Sequence, residues 1–336
     1  MLVDAHLEYR TLRDVPELAR RAEGIGVDGL WFSETAHEPF LGAALAAEHT
    51  TKVSVGTSVA IAFVRSPTLL AHLAWDLAAL AEGRFILGLG TQVRGHIVRR
   101  YGMPWDAPAP RLRDTVRAIR AVWRTWRTGA PLDYRGRGYH LSLMTPFFTP
   151  PRHDYAVPIA TAGVNPVMCR VAGEVADGFQ VHPLHTAAYL REVILPAIRR
   201  GQARAGRGAV PLPISAAVFV VTDGLRGPGA DAARRAIAFY ASTPSYRGVL
   251  AHHGWEEVGA RLSRLAGQGA WTAMAGEVTD EMLTTIAVVA PPEDAGAALR
   301  ARYEGLVDRI GPYRPYSPAD DPWWERLLQG IRAQAP

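Results

Sequence analysis

The sequence predicts a (β/α)8 TIM barrel, an α/β fold in which eight parallel strands alternate with helices. Three observations lead to this prediction: short apolar runs recur along the 336 residues, apolar-periodic helical segments separate them, and the runs number about eight. The runs are continuously apolar rather than alternating, which is typical of parallel strands covered on both faces. Eight parallel strands are the number that closes a barrel of this kind.

Residues 53–92 are the most informative stretch, because they contain one complete βαβ unit. The runs at 53–59 and 83–92 each end in small and polar residues, and the helical segment 68–81 lies between them. Active sites in such barrels are built at the carboxyl ends of the strands. This stretch therefore predicts a pocket at the strand tips.

The same unit recurs before and after this stretch. Asp14 and Pro16 mark the start of the first predicted helix, since Asp is a favoured N-cap and Pro fits the first turn. The other predicted strands are residues 2–7, 29–33, 157–162, 178–182, 213–221 and 283–289. The other predicted helices are residues 15–25, 40–49, 111–127, 166–176 and 187–200.

Two segments are too long to be ordinary connections in a barrel. Residues 128–153 are rich in Gly, Pro and aromatic residues, and residues 224–279 contain helical patterns at 230–241 and 256–266. Segments of this length serve as lids, as partner surfaces or as decoration. The sequence favours decoration with dimer contact, and the prediction is a single domain over residues 1–336 with two insertions.

Composition excludes several classes of protein. The chain is 48% hydrophobic and 21% charged, which is typical of a globular protein with a large core. The formal net charge is +5, but the arginines are scattered beside acidic residues and form no basic tract. Nucleic acid is therefore not predicted as a partner. The single cysteine, Cys169, is interpreted as a small buried side chain rather than a nucleophile.

The sequence also predicts neither export nor a membrane span. Residues 1–6 lack the basic-then-apolar pattern of an export signal, and His72, Trp75 and Asp76 interrupt the apolar segment 68–81. The expected location is the cytoplasm.

Polar or small residues stand at the ends of most predicted strands. The carboxyl ends of parallel barrel strands meet at one mouth, so these side chains are expected to converge there. The candidates are Asp4, His6, Ser33, Glu34, His37, Thr57, Ser58, Thr91, Gln92, Ala162, Gly163, His182 and His185.

Three other kinds of site fit this inventory less well. The first strand offers Asp4 and His6 instead of the His-x-His pair of hydrolytic metal barrels, so no metal site is predicted. Glu34 has no evident carboxylate partner at glycosidase spacing. The pair Gly88 and Gly90 lacks the third glycine and the downstream acid of a dinucleotide fingerprint.

Five ordered motifs resemble the bacterial luciferase-like flavin and deazaflavin oxidoreductases, and the resemblance covers nearly the whole barrel. They are residues 26–34 (GVDGLWFSE), 55–59 (VGTSV), 65–67 (RSP), 83–90 (GRFILGLG) and 172–178 (AGEVADG). The chain looks most similar to the branch that uses coenzyme F420. The residues that carry this similarity are 33–40 (SETAHEPF), 90–93 (GTQV) and 101–105 (YGMPW).

The resemblance implies that a cofactor ring lies across the barrel mouth. It implies a bulge on the third strand with a non-prolyl cis peptide at Ser58–Val59. It also implies that backbone N–H groups at Gly163 receive the cofactor phosphate, next to the helix that begins at Pro166. The residues expected to bind the cofactor are Asp4, Ser58, Val59, Gly90, Thr91, Gln92, Ala160, Ala162, Gly163 and His182.

The family's catalytic pattern is matched only in part. Related sugar-phosphate dehydrogenases carry an Asp-His pair where this chain has Glu34 and Thr35, so their acid–base assignment does not transfer intact. Glu34 is the candidate for positioning the ring or passing a proton. His37 and His6 are the candidates for protonating a reduced substrate.

The resulting prediction is an oxidoreductase that uses coenzyme F420 for hydride transfer to or from a small organic substrate, assembled as a homodimer. An FMN-dependent monooxygenase of the same fold is the alternative within the family. A non-catalytic F420-binding protein is the alternative from another class.

Overall fold

The computed structural model describes residues 1–333 and contains a barrel of eight parallel strands. The strands are β1 (Leu2–His6), β2 (Gly29–Phe32), β3 (Ser54–Thr57), β4 (Phe85–Gly90), β5 (Ile159–Gly163), β6 (Gly178–Val181), β7 (Ile214–Val218) and β8 (Arg309–Pro312). Neighbours in chain order pair in parallel, β8 pairs with β1, and β3 pairs with β4. The sheet therefore closes on itself, as predicted.

One main helix follows each strand. These helices are α1 (Val15–Gly24), α2 (Pro39–Glu48), α3 (Pro67–Leu80), α4 (Pro108–Thr128), α5 (Pro166–Val175), α6 (Leu195–Arg204), α7 (Ala295–Tyr303) and α8 (Asp321–Arg332). The side chains of Glu38, Ser66 and Asn165 accept hydrogen bonds from the first turns of α2, α3 and α5. These caps and the prolines that follow them explain why the helices begin there.

Shorter elements complete the chain between the barrel elements. A helix covers Arg94–Arg99, and Ala187–Tyr189 with the π-helical turn Leu190–Ile194 leads into α6. Single 3-10 turns cover Leu12–Asp14, Ala62–Val64, Pro146–Phe148, Pro244–Tyr246, Ala275–Glu277 and Pro318–Asp320. Within residues 1–333, no helix has both the length and the apolar character that a bilayer crossing requires.

The prediction for the eighth strand is wrong. Leu283 belongs to the helix Asp280–Ile286, and Val288–Val289 pairs with Val220–Val221 outside the barrel. The eighth barrel strand is β8, where a Cβ at Gly311 would lie 2.1 Å from the backbone oxygen of Asp4. Because β8 approaches β1 so closely, glycine is required at position 311. This glycine interrupts the apolar run by which a strand is recognised in a sequence. The other predicted strands and helices overlap the observed elements.

The connection from α4 to β5 folds over the outside of the barrel. Tyr134–Arg135 and His140–Leu141 form an antiparallel hairpin, which Asp114 of α4 holds by accepting hydrogen bonds from the Tyr134 hydroxyl and the Gly138 N–H. None of this segment contributes to the cavity at the strand ends.

The connection from β7 to α7 is largely helical. Its helices are Pro228–Ala241, Arg247–Ala251, Glu256–Gly267, Trp271–Met274 and Asp280–Ile286. They pack around their own apolar cluster, in which Ile237, Leu250 and Leu262 are fully buried. The segment therefore has a second apolar cluster beside the barrel core.

Helices α5 and α6 approach each other so closely that glycine is required on both. A Cβ at Gly173 would lie 2.1 Å from the backbone oxygen of Ile198, and a Cβ at Gly201 would lie 2.0 Å from that of Arg170. Because backbone atoms are the obstacle, no side-chain rotation relieves the clash.

We expect Gly173→Ala to lower the stability of the barrel by about 1–3 kcal/mol, the usual cost of overpacking a well-packed contact. Gly267→Ala is the matched control, because Gly267 is also helical but a Cβ there meets nothing within 4 Å. Thermal unfolding of the three proteins measures the difference. Equal melting temperatures for wild type and Gly173→Ala would contradict the close helix contact.

Candidate active site

A cavity of about 330 Å³ opens at the carboxyl ends of the barrel strands. Every one of the eight strands, or the residues directly after it, contributes to its lining. The predicted site residues that line it are Asp4, His6, Ser33, Glu34, Ser58, Val59, Gly90, Thr91, Gln92, Ala162, Gly163 and His182. The convergence of strand ends that the sequence predicts is therefore present, while the individual roles of these residues stay predictions.

Two of the residues predicted for catalysis or cofactor binding lie elsewhere. His37 is exposed, and its ring stacks on Tyr9 with 4.6 Å between centroids, on the loop that leads to α2. Ala160 is buried inside β5, opposite Gly88 of β4 and Gly178 of β6, below the strand tip. Neither residue lines the cavity. The sequence assigns a residue to a strand or a loop, but it does not show how deep in the barrel that residue lies.

The residues after β2 clamp the segment that follows β3. The Ser33 hydroxyl donates to the Ser58 carbonyl over 2.8 Å, and the Glu34 N–H donates to the Val59 carbonyl over 3.4 Å. The Glu34 carboxylate in turn accepts from the Ile61 N–H at 2.7 Å. The peptide bond Ser58–Val59 is cis, which confirms the expectation from the resemblance. The clamp fixes the wall that residues 58–61 present to the cavity.

Glu34 is fully engaged by donors from the protein. Arg65 donates to both of its oxygens, at 2.7 and 3.1 Å, and the Tyr101 hydroxyl donates over 3.2 Å. With the Ile61 N–H, four donors occupy one carboxylate. Arg65 also reaches Glu38 at 3.0 Å, and both members of the Arg65–Glu34 pair are largely buried. This arrangement suits a positioning residue, since a proton carrier needs a free lone pair facing the substrate.

The cavity floor contains an acceptor that lacks a partner. The Gln180 side-chain amide donates to the Thr57 carbonyl over 3.1 Å, while its Oε1 is buried and has no hydrogen-bond partner within the described residues. The Thr57 hydroxyl bridges the backbone of Gly88 by donating to its carbonyl and accepting from its N–H. A buried acceptor without a partner is costly, so the floor is suited to a ligand that donates a hydrogen bond.

Asp4 and His6 line the cavity from β1. Arg309 of β8 donates to both oxygens of Asp4, at 2.6 and 3.0 Å, so this carboxylate ties β1 to β8. Burial lowers the pKa of His6, and the nearby Asp4 charge opposes that shift in part. His6 is therefore a neutral imidazole near pH 7.

His182 follows β6 and is held in one tautomer. The Leu184 N–H donates to its Nδ1 over 3.0 Å, which leaves the ring proton on Nε2. His185 Nδ1 lies 2.8 Å from the His182 carbonyl. Burial lowers the pKa of His182 to about 3 and that of His185 to about 4. Both rings are neutral in the folded protein near pH 7.

The helical connection from β7 to α7 reaches the cavity, so its interpretation as decoration is wrong. Tyr240, Ser245 and Tyr246 of this segment line the cavity beside His182. The Tyr240 hydroxyl is hydrogen-bonded to that of Tyr313, which follows β8. Sequence reasoning missed these tyrosines, because nothing in the chain indicates that the segment folds back over the mouth.

The start of α5 borders the cavity through Gly163, Val164 and Asn165. The Asn165 side chain accepts from the Met168 N–H at 3.0 Å. A Cβ at Gly163 would lie 2.8 Å from the Cβ of Met168, so glycine is required at this turn from strand to helix. Backbone N–H groups at a helix N-terminus favour an anion, as the resemblance implies for this turn.

Comparison with known families and proteins agrees with this geometry. A model of the luciferase-like monooxygenase family matches residues 2–309. An uncharacterized protein of Mycobacterium tuberculosis (strain ATCC 25618 / H37Rv) is 45% identical over 306 residues, 88% of this chain and 90% of that protein. The F420-dependent glucose-6-phosphate dehydrogenase of Mycobacterium avium (strain 104) is 32% identical over 214 residues, 59% of this chain and 62% of that protein.

Solved structures share the fold. The coenzyme F420-dependent tetrahydromethanopterin reductase of Methanopyrus kandleri has a TM-score of 0.76 at 20% identity, with 98% of each chain covered. The oxygenating constituent of the 3,6-diketocamphane monooxygenase of Pseudomonas putida, solved with FMN, has a TM-score of 0.69 at 17% identity over 98% of this chain and 96% of that chain. The chain belongs to the luciferase-like monooxygenase family. The relatives of the chain include F420-dependent oxidoreductases.

The buried histidines predict how stability depends on pH. An unfolded histidine takes up a proton near pH 6.5, whereas His182 and His185 stay neutral in the folded state down to about pH 3 and 4. The unfolded state therefore binds more protons below pH 6.5, and stability falls as the pH falls. Each histidine contributes a loss of about 1 kcal/mol per pH unit in that range.

We expect His182→Gln to lose less stability than wild type between about pH 7 and pH 5, a range that includes the unfolded histidine pKa. His140→Gln is the control, because His140 is exposed on the hairpin. Thermal or denaturant unfolding at several pH values gives the slopes. A His182→Gln slope equal to that of wild type would contradict the neutral buried state.

Proposed function

We propose that the protein is an oxidoreductase that uses coenzyme F420 for hydride transfer to or from a small organic substrate. The observation that carries this proposal is the cavity wall at residues 58–61, which Ser33 and Glu34 clamp beside the start of α5. The similarity to F420-dependent relatives supports F420 as the cofactor.

The residues at the cavity fit a deazaflavin. The free Oε1 of Gln180 matches the N–H donor on the pyrimidinedione edge of such a ring. A Cβ at Gly90 would lie 2.4 Å from Val59, so glycine leaves room for the clamped segment. The first backbone groups of α5 would hold the phosphate. When bound, the deazaflavin supplies or accepts one hydride.

The chain's own residues have three tasks in this proposal. Glu34 and Ser33 keep the wall at residues 58–61 in place, so that the ring and the substrate meet in one orientation. Trp31 and Trp105 supply apolar lining that excludes water. The neutral rings of His6 and His182 offer polar atoms without adding charge to the cavity.

FMN is the alternative cofactor, since FMN-dependent proteins share the fold. We expect F420 to bind at least about tenfold more tightly than FMN, a difference of about 1.4 kcal/mol. Fluorescence titration of the purified protein with each cofactor measures this difference. Protein made in a host that lacks F420 is expected to be colourless.

Two results would count against the proposal. Yellow protein that retains FMN would favour the monooxygenase alternative. Tight F420 binding without substrate-dependent bleaching of F420, and without reoxidation of reduced F420 by any organic acceptor, would favour a non-catalytic F420-binding protein.

The role of Glu34 can be separated from that of Glu38, because both carboxylates bind Arg65. Glu34→Gln is expected to lower both the melting temperature and the F420 affinity, since it weakens the buried ion pair and loosens the clamp on residues 58–61. Glu38→Gln is expected to lower only the melting temperature, because Glu38 caps α2 and does not line the cavity.

Turnover measured on the same preparations decides between positioning and proton transfer. A positioning role predicts that the loss in kcat/KM of Glu34→Gln is about the same at every pH. A loss of roughly a hundredfold in kcat with unchanged F420 affinity, the scale of a missing proton-transfer group, would instead favour Glu34 as the proton carrier.

A further inference from the structure

One side of the cavity has a wall made by three parts of the chain that are far apart in sequence. Tyr240 and Tyr246 come from the helical connection between β7 and α7, while Tyr313 follows β8 and His182 follows β6. The His182 ring lies 4.7 Å from that of Tyr240 and 4.3 Å from that of Tyr246, measured between centroids. We call these four residues the aromatic wall.

Within residues 1–333, the Tyr240–Tyr313 pair of this wall has one hydroxyl proton with no acceptor from the protein. The hydroxyl groups of Tyr240 and Tyr313 are hydrogen-bonded to each other, and this bond uses one of their two protons. The other proton is free to bond a ligand, since both tyrosines line the cavity. Burial raises the pKa of both hydroxyls, so both remain protonated near neutral pH.

Packing holds this pair in position. The backbone N–H of Tyr313 donates to the Val218 carbonyl over 2.6 Å, and the Phe219 ring packs edge-on against the Tyr313 ring at 5.0 Å. Tyr240 lies near the end of the helix Pro228–Ala241, which the second apolar cluster anchors. The donor is therefore preorganised, which favours recognition of a fixed oxygen atom.

The charges at the cavity are already neutralised by the protein. Asp4 is paired with Arg309 and Glu34 with Arg65, so both carboxylates of the lining have their own cation. In the described residues, 1–333, the lining contains no lysine or arginine. A phosphorylated substrate would lose the hydration of its charge and would meet only paired carboxylates and aromatic rings, which is costly. A neutral substrate loses little hydration free energy when it enters the cavity.

From these contacts we infer that the aromatic wall binds a neutral, largely apolar substrate and that the Tyr240–Tyr313 pair donates a hydrogen bond to its carbonyl or hydroxyl oxygen. This inference rests on the proposed function, because it names the substrate class of the same site. It assigns the helical connection between β7 and α7 a role in substrate specificity.

The test is titration calorimetry with acetophenone, a neutral aromatic ketone, and ethylbenzene, which has a similar shape but no oxygen. The protein is used both alone and saturated with oxidised F420. Because the free proton of the pair is on one of the two hydroxyls, we expect at least one of Tyr240→Phe and Tyr313→Phe to raise the Kd for acetophenone about fivefold to tenfold, the scale of one lost hydrogen bond. The Kd for ethylbenzene is expected to stay unchanged, because the rings remain.

Tyr155→Phe is the matched control, since Tyr155 lies outside the cavity lining. Equal acetophenone affinities for wild type and both cavity variants would overturn the inference, as would glucose 6-phosphate binding more tightly than acetophenone. Absence of F420 binding would overturn the proposed function instead. If F420 does not bind, the ratio of the variant to the wild-type Kd for acetophenone, measured on the cofactor-free protein, still tests the tyrosine pair.

Discussion

The active-site end of the barrel depends on the buried ion pair between Glu34 and Arg65. Removing either partner would leave an unpaired charge in a largely buried place, which is far more costly than losing an exposed salt bridge. The same carboxylate also accepts from the Ile61 N–H, and its own backbone N–H donates to the Val59 carbonyl. One side chain therefore links the end of β2, the segment after β3 and the start of α3. The shape of the cavity wall follows from this network.

A second principle is that the cavity contains polar atoms but little net charge. Arg309 and Arg65 neutralise its two carboxylates from behind, and burial keeps His6 and His182 neutral. The proposed hydride transfer would need two partners held close together and water kept out, and a neutral, preorganised cavity meets both needs. The polar atoms that remain, such as the free Oε1 of Gln180, can then orient a ligand without a large desolvation cost.

The helical connection between β7 and α7 completes the cavity without belonging to the barrel. Its helices pack on their own apolar cluster, and only Tyr240, Ser245 and Tyr246 reach the mouth. A barrel that supports a connecting segment at the carboxyl ends of its strands is typical of barrel enzymes, in which the scaffold is rigid and the loops vary. The rest of the cavity lining comes mainly from the barrel strands and the residues that directly follow them.

The sequence by itself determined seven of the eight barrel strands, most of the helices and the family, because apolar runs, N-caps and helix-initiating prolines are local signals. It also placed Glu34, Ser58 and Gly163 at strand tips, where the cavity lies. The tertiary structure alone decided that β8 is the glycine-containing strand Arg309–Pro312, since its close contact with β1 is not local. It likewise decided that Ala160 is too deep and His37 too exposed to line the cavity. The pairing of Tyr240 with Tyr313, 73 positions apart, arises only when the chain folds back over the barrel mouth.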